Sequence, residues 1–331
     1  MAEKKEKRSK KLWRYRIGSL MFAVVFGVSA FLVVRSLIEE RKEADAFKQL
    51  SRYAAECAGD ECGPAGWKNA AGPLDLDAGE AWDGEDSKSG KLESEELEPE
   101  ELEPEDAESD GERAARLKAA AGYAALGDQN QDYIGWIEIP DTGIDYPVMC
   151  RKDDPEYYLH RSFDGSHASG GTPFLSEASS PDSICMIVYG HNMKNGTMFG
   201  TLDSYRNTDY MMQHPEIIFY VNGEARIYEV FAAVETKVPS DGKRAGDEFQ
   251  YYNCAGDISM EEYGRLVSWL QKNSCYDAGI VPVYEEQILM LSTCSYHTKN
   301  GRFVVAARLE SADIMVTTVC GYHKTSSSAR Q

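Results

Sequence analysis

Residues 17–34 carry no charge, and apolar side chains dominate the eighteen-residue run. As a helix this stretch spans about 27 Å, close to the ~30 Å hydrocarbon core of a bilayer. A buried globular helix would keep a polar face, and this run has none. The pattern therefore predicts a transmembrane helix over residues 17–35, closed by Arg35. Lys4, Lys5, Lys7, Arg8, Lys10, Lys11, Arg14 and Arg16 form a basic segment (residues 1–16) before it. That asymmetry puts the N-terminus in the cytoplasm and the rest of the chain outside. Val28-Ser29-Ala30 resembles a small-residue cleavage site, which makes a cleaved signal peptide the alternative. The apolar run continues past Ala30, and this favours an uncleaved, single-pass anchor.

Beyond the anchor the pattern changes twice. Residues 36–57 are polar and helix-compatible, and residues 59–110 are rich in Gly, Pro, Asp and Glu. Eleven of the twenty residues in 91–110 are acidic, and Glu96-Leu97-Glu98-Pro99-Glu100 is repeated at once as Glu101-Leu102-Glu103-Pro104-Glu105. Such a segment has too little apolar area to offset the entropy of ordering. Residues 36–111 are therefore expected to be an extracellular, largely disordered acidic spacer. Calcium binding is the sharper alternative, but the repeat lacks the oxygen-ligand spacing of a loop site.

Residues 112–131 are predicted to open with an Ala-rich helix, and 132–314 read as one well-cored domain. Its strand candidates are 134–139, 184–189, 216–221, 225–234, 287–293 and 303–309, all rich in β-branched and aromatic residues. Asn222-Gly223 between two of them is a strong hairpin signal. The spacing suggests an antiparallel barrel or sandwich. One helix interrupts the strands. Ser259 and Glu262 form a capping-box pair, and Met260, Tyr263, Leu266, Val267 and Leu270 follow at helical spacing. Residues 315–331 are a polar tail.

Charge and cysteine content narrow the function classes. With 55 Asp+Glu against 35 Lys+Arg the chain lacks the basic face that nucleic acid requires. Its eight cysteines are Cys57, Cys62, Cys150, Cys185, Cys254, Cys275, Cys294 and Cys320. None has the spacing of a zinc site, and no metal or cofactor is expected. An extracellular setting permits disulfides, yet most of these thiols are expected to be reduced or buried.

Cys294 carries the candidate chemistry. It lies in Leu291-Ser292-Thr293-Cys294-Ser295-Tyr296, where a buried strand gives way to a polar loop. A cysteine here is often just a small buried hydrophobe. Arg302 begins the next strand, antiparallel to the first, where cross-strand side chains lie about 5 Å apart. Its alternative is a surface salt bridge. His191 follows an apolar strand through Gly190, a place where the strand fixes a base and the loop exposes it. His297, three residues from the cysteine, is the rival base, weakened by its place in a flexible loop. Thiol, imidazole and guanidinium are the parts of a cysteine acyl-transfer site.

These segments resemble the sortases, and class B in particular. The resemblance rests on Leu-Ser-Thr-Cys-Ser-Tyr followed by Gly-Arg-Phe-Val-Val, with Tyr189-Gly190-His191-Asn192-Met193 upstream. Gly135-Trp136-Ile137-Glu138-Ile139-Pro140, Tyr157-Tyr158-Leu159-His160-Arg161 and Met198-Phe199-Gly200-Thr201-Leu202 agree with it, as does the helix near 259–273. The acidic spacer is outside that pattern.

The resemblance implies a mainly β fold, an eight-stranded sortase barrel preceded by N-terminal helices and the transmembrane helix. It implies a transpeptidase of Gram-positive cell surfaces. Cys294 would attack a C-terminal sorting signal after its Thr, Arg302 would hold the oxyanion, and His191 would carry protons. Partners would be secreted proteins bearing that signal and an amine acceptor, either a peptidoglycan precursor or a pilin lysine. Tyr189, Ser292, Thr293 and, more loosely, Leu159 match positions lining the signal groove, though core packing explains each equally well. Residues 248–257, with Tyr251 and Tyr252, would shape signal preference. A surface peptidase resolving the same acyl-enzyme with water, and a catalytically silent adhesin, are the alternatives.

Overall fold

A computed structural model describes residues 2–59, 110–238, 249–295 and 300–313. Eight strands close into a barrel: β1 (Tyr133–Glu138), β2 (Asp145–Met149), β3 (Phe174–Leu175), β4 (Cys185–Tyr189), β5 (Glu216–Val221), β6 (Glu224–Lys237), β7 (Ile288–Ser295) and β8 (Gly301–Asp313). Their order around the barrel is β1-β2-β3-β4-β7-β8-β6-β5. Most neighbours are antiparallel. The exceptions are β2 with β3 and, decisive for the site, β4 with β7. Asn222 and Gly223 take left-handed φ values of 54° and 76° in the β5–β6 turn, as a two-residue hairpin requires.

The continuous apolar runs in β4, β7 and β8 follow from burial on both faces. Met186, Val188, Leu289, Leu291, Phe303 and Val305 point into the barrel core. Their alternates Cys185, Ile187, Met290, Val304 and Ala306 pack outside with Tyr263, Leu266, Val267 and Leu270. Those last four lie on one face of α4, the fourth helix in chain order (Met260–Asn273). Ser259 caps it as the sequence predicts, with Ser259 Oγ and the Glu262 carboxylate bonding reciprocally to backbone N–H groups.

Two further helices precede the barrel and pack on each other. The long α1 runs from Ala2 to Cys57, and α2 covers Asp110–Ala124. Tyr123 stacks on Trp136 with ring centroids 4.6 Å apart. Within α1, the segment from Met21 onward contains a window apolar enough to cross a membrane, none of it buried in the protein. The short α3 (Thr208–Gln213) precedes β5.

One expected boundary changes. Residues 36–57, assigned to the spacer 36–111, are the continuation of α1. Phe47, Leu50, Tyr53 and Ala54 join the barrel's core cluster. They recur at near-helical spacing, so a polar-looking segment still has one apolar edge to bury. Most of the acidic spacer and the tail lie outside the described residues. Cys57 is disulfide-bonded, whereas Cys150, Cys185, Cys254, Cys275 and Cys294 are free.

Candidate active site

The parallel pairing of β4 with β7 brings two distant segments to one end of the barrel. Tyr189 pairs with Ser292, and the contact continues past the ladder. Gly190 N donates to the Ser292 carbonyl at 3.1 Å, and Thr293 Oγ1 donates to the Gly190 carbonyl at 2.7 Å. Asn192 Nδ2 then donates to the Cys294 carbonyl at 2.8 Å. His191 sits between these tied positions. Gly190 allows the close approach, because a Cβ there would lie 2.5 Å from the Phe199 ring.

On the other side, β7 and β8 are antiparallel, and Cys294 pairs directly with Arg302. Cys294 is the single exposed position of β7, which is otherwise buried. Among the described residues Arg302 has no carboxylate partner; its Nη1 donates to the Gly301 carbonyl at 3.0 Å. The nearby Arg206 differs, being paired with Asp203 and Glu235. The surface-salt-bridge alternative for Arg302 therefore has no partner among the described residues.

A cleft of about 800 Å³ opens over this end. Cys294, His191 and Arg302 line it together with Tyr189, Ser292, Thr293 and Leu159. All seven predicted site residues thus share one cavity. Ser292 and Thr293 are themselves nearly fully buried, at 1% and 2% exposure. They meet the cleft through backbone and packing more than through open side chains. Tyr251 Oη and Ser292 Oγ are 2.8 Å apart, which ties the segment before α4 to the cysteine strand. Tyr252 and Asn253 extend the same wall. His297 lies outside the described residues.

Electrostatics separate the groups. Desolvation lowers the pKa of half-buried His191, and the neighbouring His160 lowers it further. A hydrogen bond with the Gly170 backbone opposes both. The His160 and His191 rings are 5.3 Å apart between centroids. Burial raises the phenols of Tyr189 and Tyr251, and Arg302 partly counters it in each. Burial also pushes the thiols of Cys185 and Cys254 up, Cys254 to about 11. Such thiols are poor nucleophiles near neutral pH. Cys275 is exposed but lies off the cleft. No group of three or more described His, Cys, Asp or Glu side chains is arranged to hold a metal.

Sequence reasoning missed His160, Asn192 and the Tyr251–Ser292 contact. His160 lies in the Tyr-Tyr-Leu-His-Arg segment, but nothing in its spacing indicates a ring beside His191. Asn192 adjoins His191 in sequence, and only the β4–β7 pairing reveals its carbonyl partner.

An eight-stranded barrel with an exposed thiol, a guanidinium across the ladder from it and an imidazole at the same end is an arrangement suited to cysteine acyl transfer. Comparison with known proteins gives the class. Residues 137–310 match the family model of the sortase domain. The chain is 30% identical to sortase B of Listeria monocytogenes over 187 residues, covering 54% of this chain and 70% of that protein. It is 25% identical to sortase B of Staphylococcus aureus over 191 residues, covering 56% and 74%. A mutant form of Clostridium perfringens sortase B superposes with a TM-score of 0.51 at 25% identity, covering 61% of this chain and 96% of that one. The chain belongs to the sortase family, cysteine transpeptidases of the cell surface, and within it to class B.

Proposed function

We propose that this sortase cleaves a C-terminal sorting signal after its Thr and joins the freed carboxyl to an amine of the cell wall or a pilin. The observation that supports this best is the cross-strand pairing of exposed Cys294 with Arg302 in a cleft that His191 also lines.

In this proposal the Cys294 thiol gives its proton to His191, and the thiolate attacks the Thr carbonyl carbon. The carbonyl oxygen takes up negative charge, and Arg302 stabilises it through its planar fork. The C–N bond then breaks. His191 passes the proton to the departing amine and leaves a thioester on Cys294. An incoming amine attacks the thioester and loses a proton to His191. The C–S bond breaks, an amide forms, and the thiol is restored. A His191 with lowered pKa is mostly neutral at neutral pH, ready to accept each proton.

The signal lies along the cleft wall built by Leu159, Tyr189, Ser292 and Thr293, with Tyr251 and Tyr252 shaping preference. The anchor at 17–35 holds the enzyme N-in, with the catalytic domain of 132–314 outside the cell. The proposal is tested by trapping the acyl-enzyme. With a sorting peptide and no acceptor, intact-mass measurement should find a thioester adduct that maps to Cys294. An adduct on any other residue rejects the assignment.

A further inference from the structure

The bonding between β4 and β7 continues beyond the end of β4. Gly190 N donates to the Ser292 carbonyl, and evenly spaced parallel bonding would put the next rung two residues on, from Asn192 N to the Cys294 carbonyl. Asn192 instead forms an isolated bridge with Met198. Its side chain takes the place of the rung: Asn192 Nδ2 donates to the Cys294 carbonyl at 2.8 Å. Asn192 is only 8% exposed, so the bond is shielded from water. His191 thus lies between two residues that are each bonded to β7, one at Ser292 and one at Cys294 itself.

A side-chain amide can face either way, and its partners decide which. Asn192 Nδ2 also reaches the Asp203 carboxylate, at 3.4 Å, on the 3₁₀ turn Leu202–Arg206. A carbonyl and a carboxylate both accept, so a flipped amide would set oxygen against oxygen at each. Asp203 is in turn held by Arg206 Nη1 at 3.3 Å. Arg206 is fixed from three further sides: by the Glu235 carboxylate on β6, by Ser295 Oγ at 3.2 Å, and by the Phe303 ring, whose centroid lies 4.8 Å from the guanidinium carbon. The residue after the candidate nucleophile is therefore gripped by the same network that orients the amide on the nucleophile's carbonyl.

We propose that Asn192 is a positioning residue for Cys294: its amide supplies the last rung between the two segments and so sets the separation of thiol and imidazole, while Asp203 keeps the amide turned towards the Cys294 carbonyl. Asn192 does not line the cleft. It acts through the backbone of Cys294 on one side and, as the next residue in the chain, through that of His191 on the other. This rests on Cys294 and His191 acting in the reaction as proposed above.

The test is steady-state kinetics of the full chain in detergent micelles on a fluorogenic sorting peptide, with melting temperatures measured alongside. Asn192→Ala should lower kcat about tenfold or more with KM little changed, within the ~10²-fold that a misplacement of about 1 Å costs. The exchange variant Asn192→Asp/Asp203→Asn keeps the net charge, the shapes and a donor–acceptor contact within the pair, but takes the donor away from the Cys294 carbonyl. Its melting temperature should lie close to wild type, and its kcat should stay as low as that of Asn192→Ala. Asn207→Ala removes the cap of α3, away from the cleft, and should lower the melting temperature with kcat unchanged. Wild-type kcat in Asn192→Ala or in the exchange variant overturns the proposal, as does a kcat that simply tracks melting temperature across the three variants. If Asn192→Ala fails to fold, the exchange variant, isosteric at both positions, decides by its kcat. Cys294→Ala keeps the two failures apart. Turnover that survives Cys294→Ala rejects the underlying reading, whereas turnover lost with Cys294→Ala but kept with Asn192→Ala rejects the positioning role alone.

Discussion

Cys294 and Arg302 are direct partners across the β7–β8 ladder, one step from the end where the strands part. A side chain as long as arginine needs no loop to carry it over the thiol from that register. The candidate nucleophile and the guanidinium proposed to face it are thus placed by strand pairing, the most rigid relationship this fold offers.

Arg302→Lys should keep the charge and lose the planar fork. Removing an oxyanion donor costs about 10²–10³ in kcat, and lysine's single rotatable ammonium should recover little of it. Steady-state kinetics on a fluorogenic sorting peptide check this. Near-normal kcat would remove Arg302 from the oxyanion role.

The pH dependence of stability should carry a His191 signature. Its folded-state pKa is lowered below 6.5, so the unfolded chain binds the proton more readily. This term is absent above the unfolded value. It destabilises the fold progressively as pH falls from about 6.5 towards the folded pKa, and levels off below it. Urea titrations across that window should show a shallower pH slope for His191→Gln than for wild type. His160→Gln should raise the His191 midpoint by removing a neighbour that lowers it, as histidine NMR would report.

Tyr251→Phe should strand the buried Ser292 hydroxyl, costing about 1–3 kcal/mol. Ser292→Ala leaves the tyrosine hydroxyl without its partner. A double-mutant cycle by chemical denaturation should find the pair coupled by at least ~0.5 kcal/mol. Zero coupling would mean that the contact contributes nothing.

Gly190→Ala should be damaging out of proportion to one methyl. The added Cβ would meet the Phe199 ring at 2.5 Å, and such overpacking costs about 1–3 kcal/mol. Because Gly190 directly precedes His191, kcat should fall along with the melting temperature. An active, stable variant would show that the loop shifts without consequence.

Much of this architecture was legible in the chain, for identifiable reasons. β5 and β6 announce themselves through β-branched and aromatic runs around Asn222-Gly223, and α4 through its capping box and apolar stripe. β2 carries a weak strand signal because Pro147 interrupts it, and β3 is only two residues long. The α1 continuation is helix-compatible in sequence but hard to separate from the spacer, because Phe47, Leu50 and Tyr53 are diluted among charges. That Cys294, Arg302 and His191 meet at one end of the barrel follows from their places at strand ends. The proximity of His160 to His191 and the Asn192–Cys294 bond were not legible, since both depend on long-range packing that leaves no periodicity.

Incubating the chain with a sorting peptide and a peptide amine, then reading the products by mass spectrometry, distinguishes transfer from hydrolysis. An amide-linked transfer product is expected, absent with Cys294→Ala. Hydrolysed peptide alone, across a panel of acceptor amines, or transfer that persists in Cys294→Ala, would contradict it.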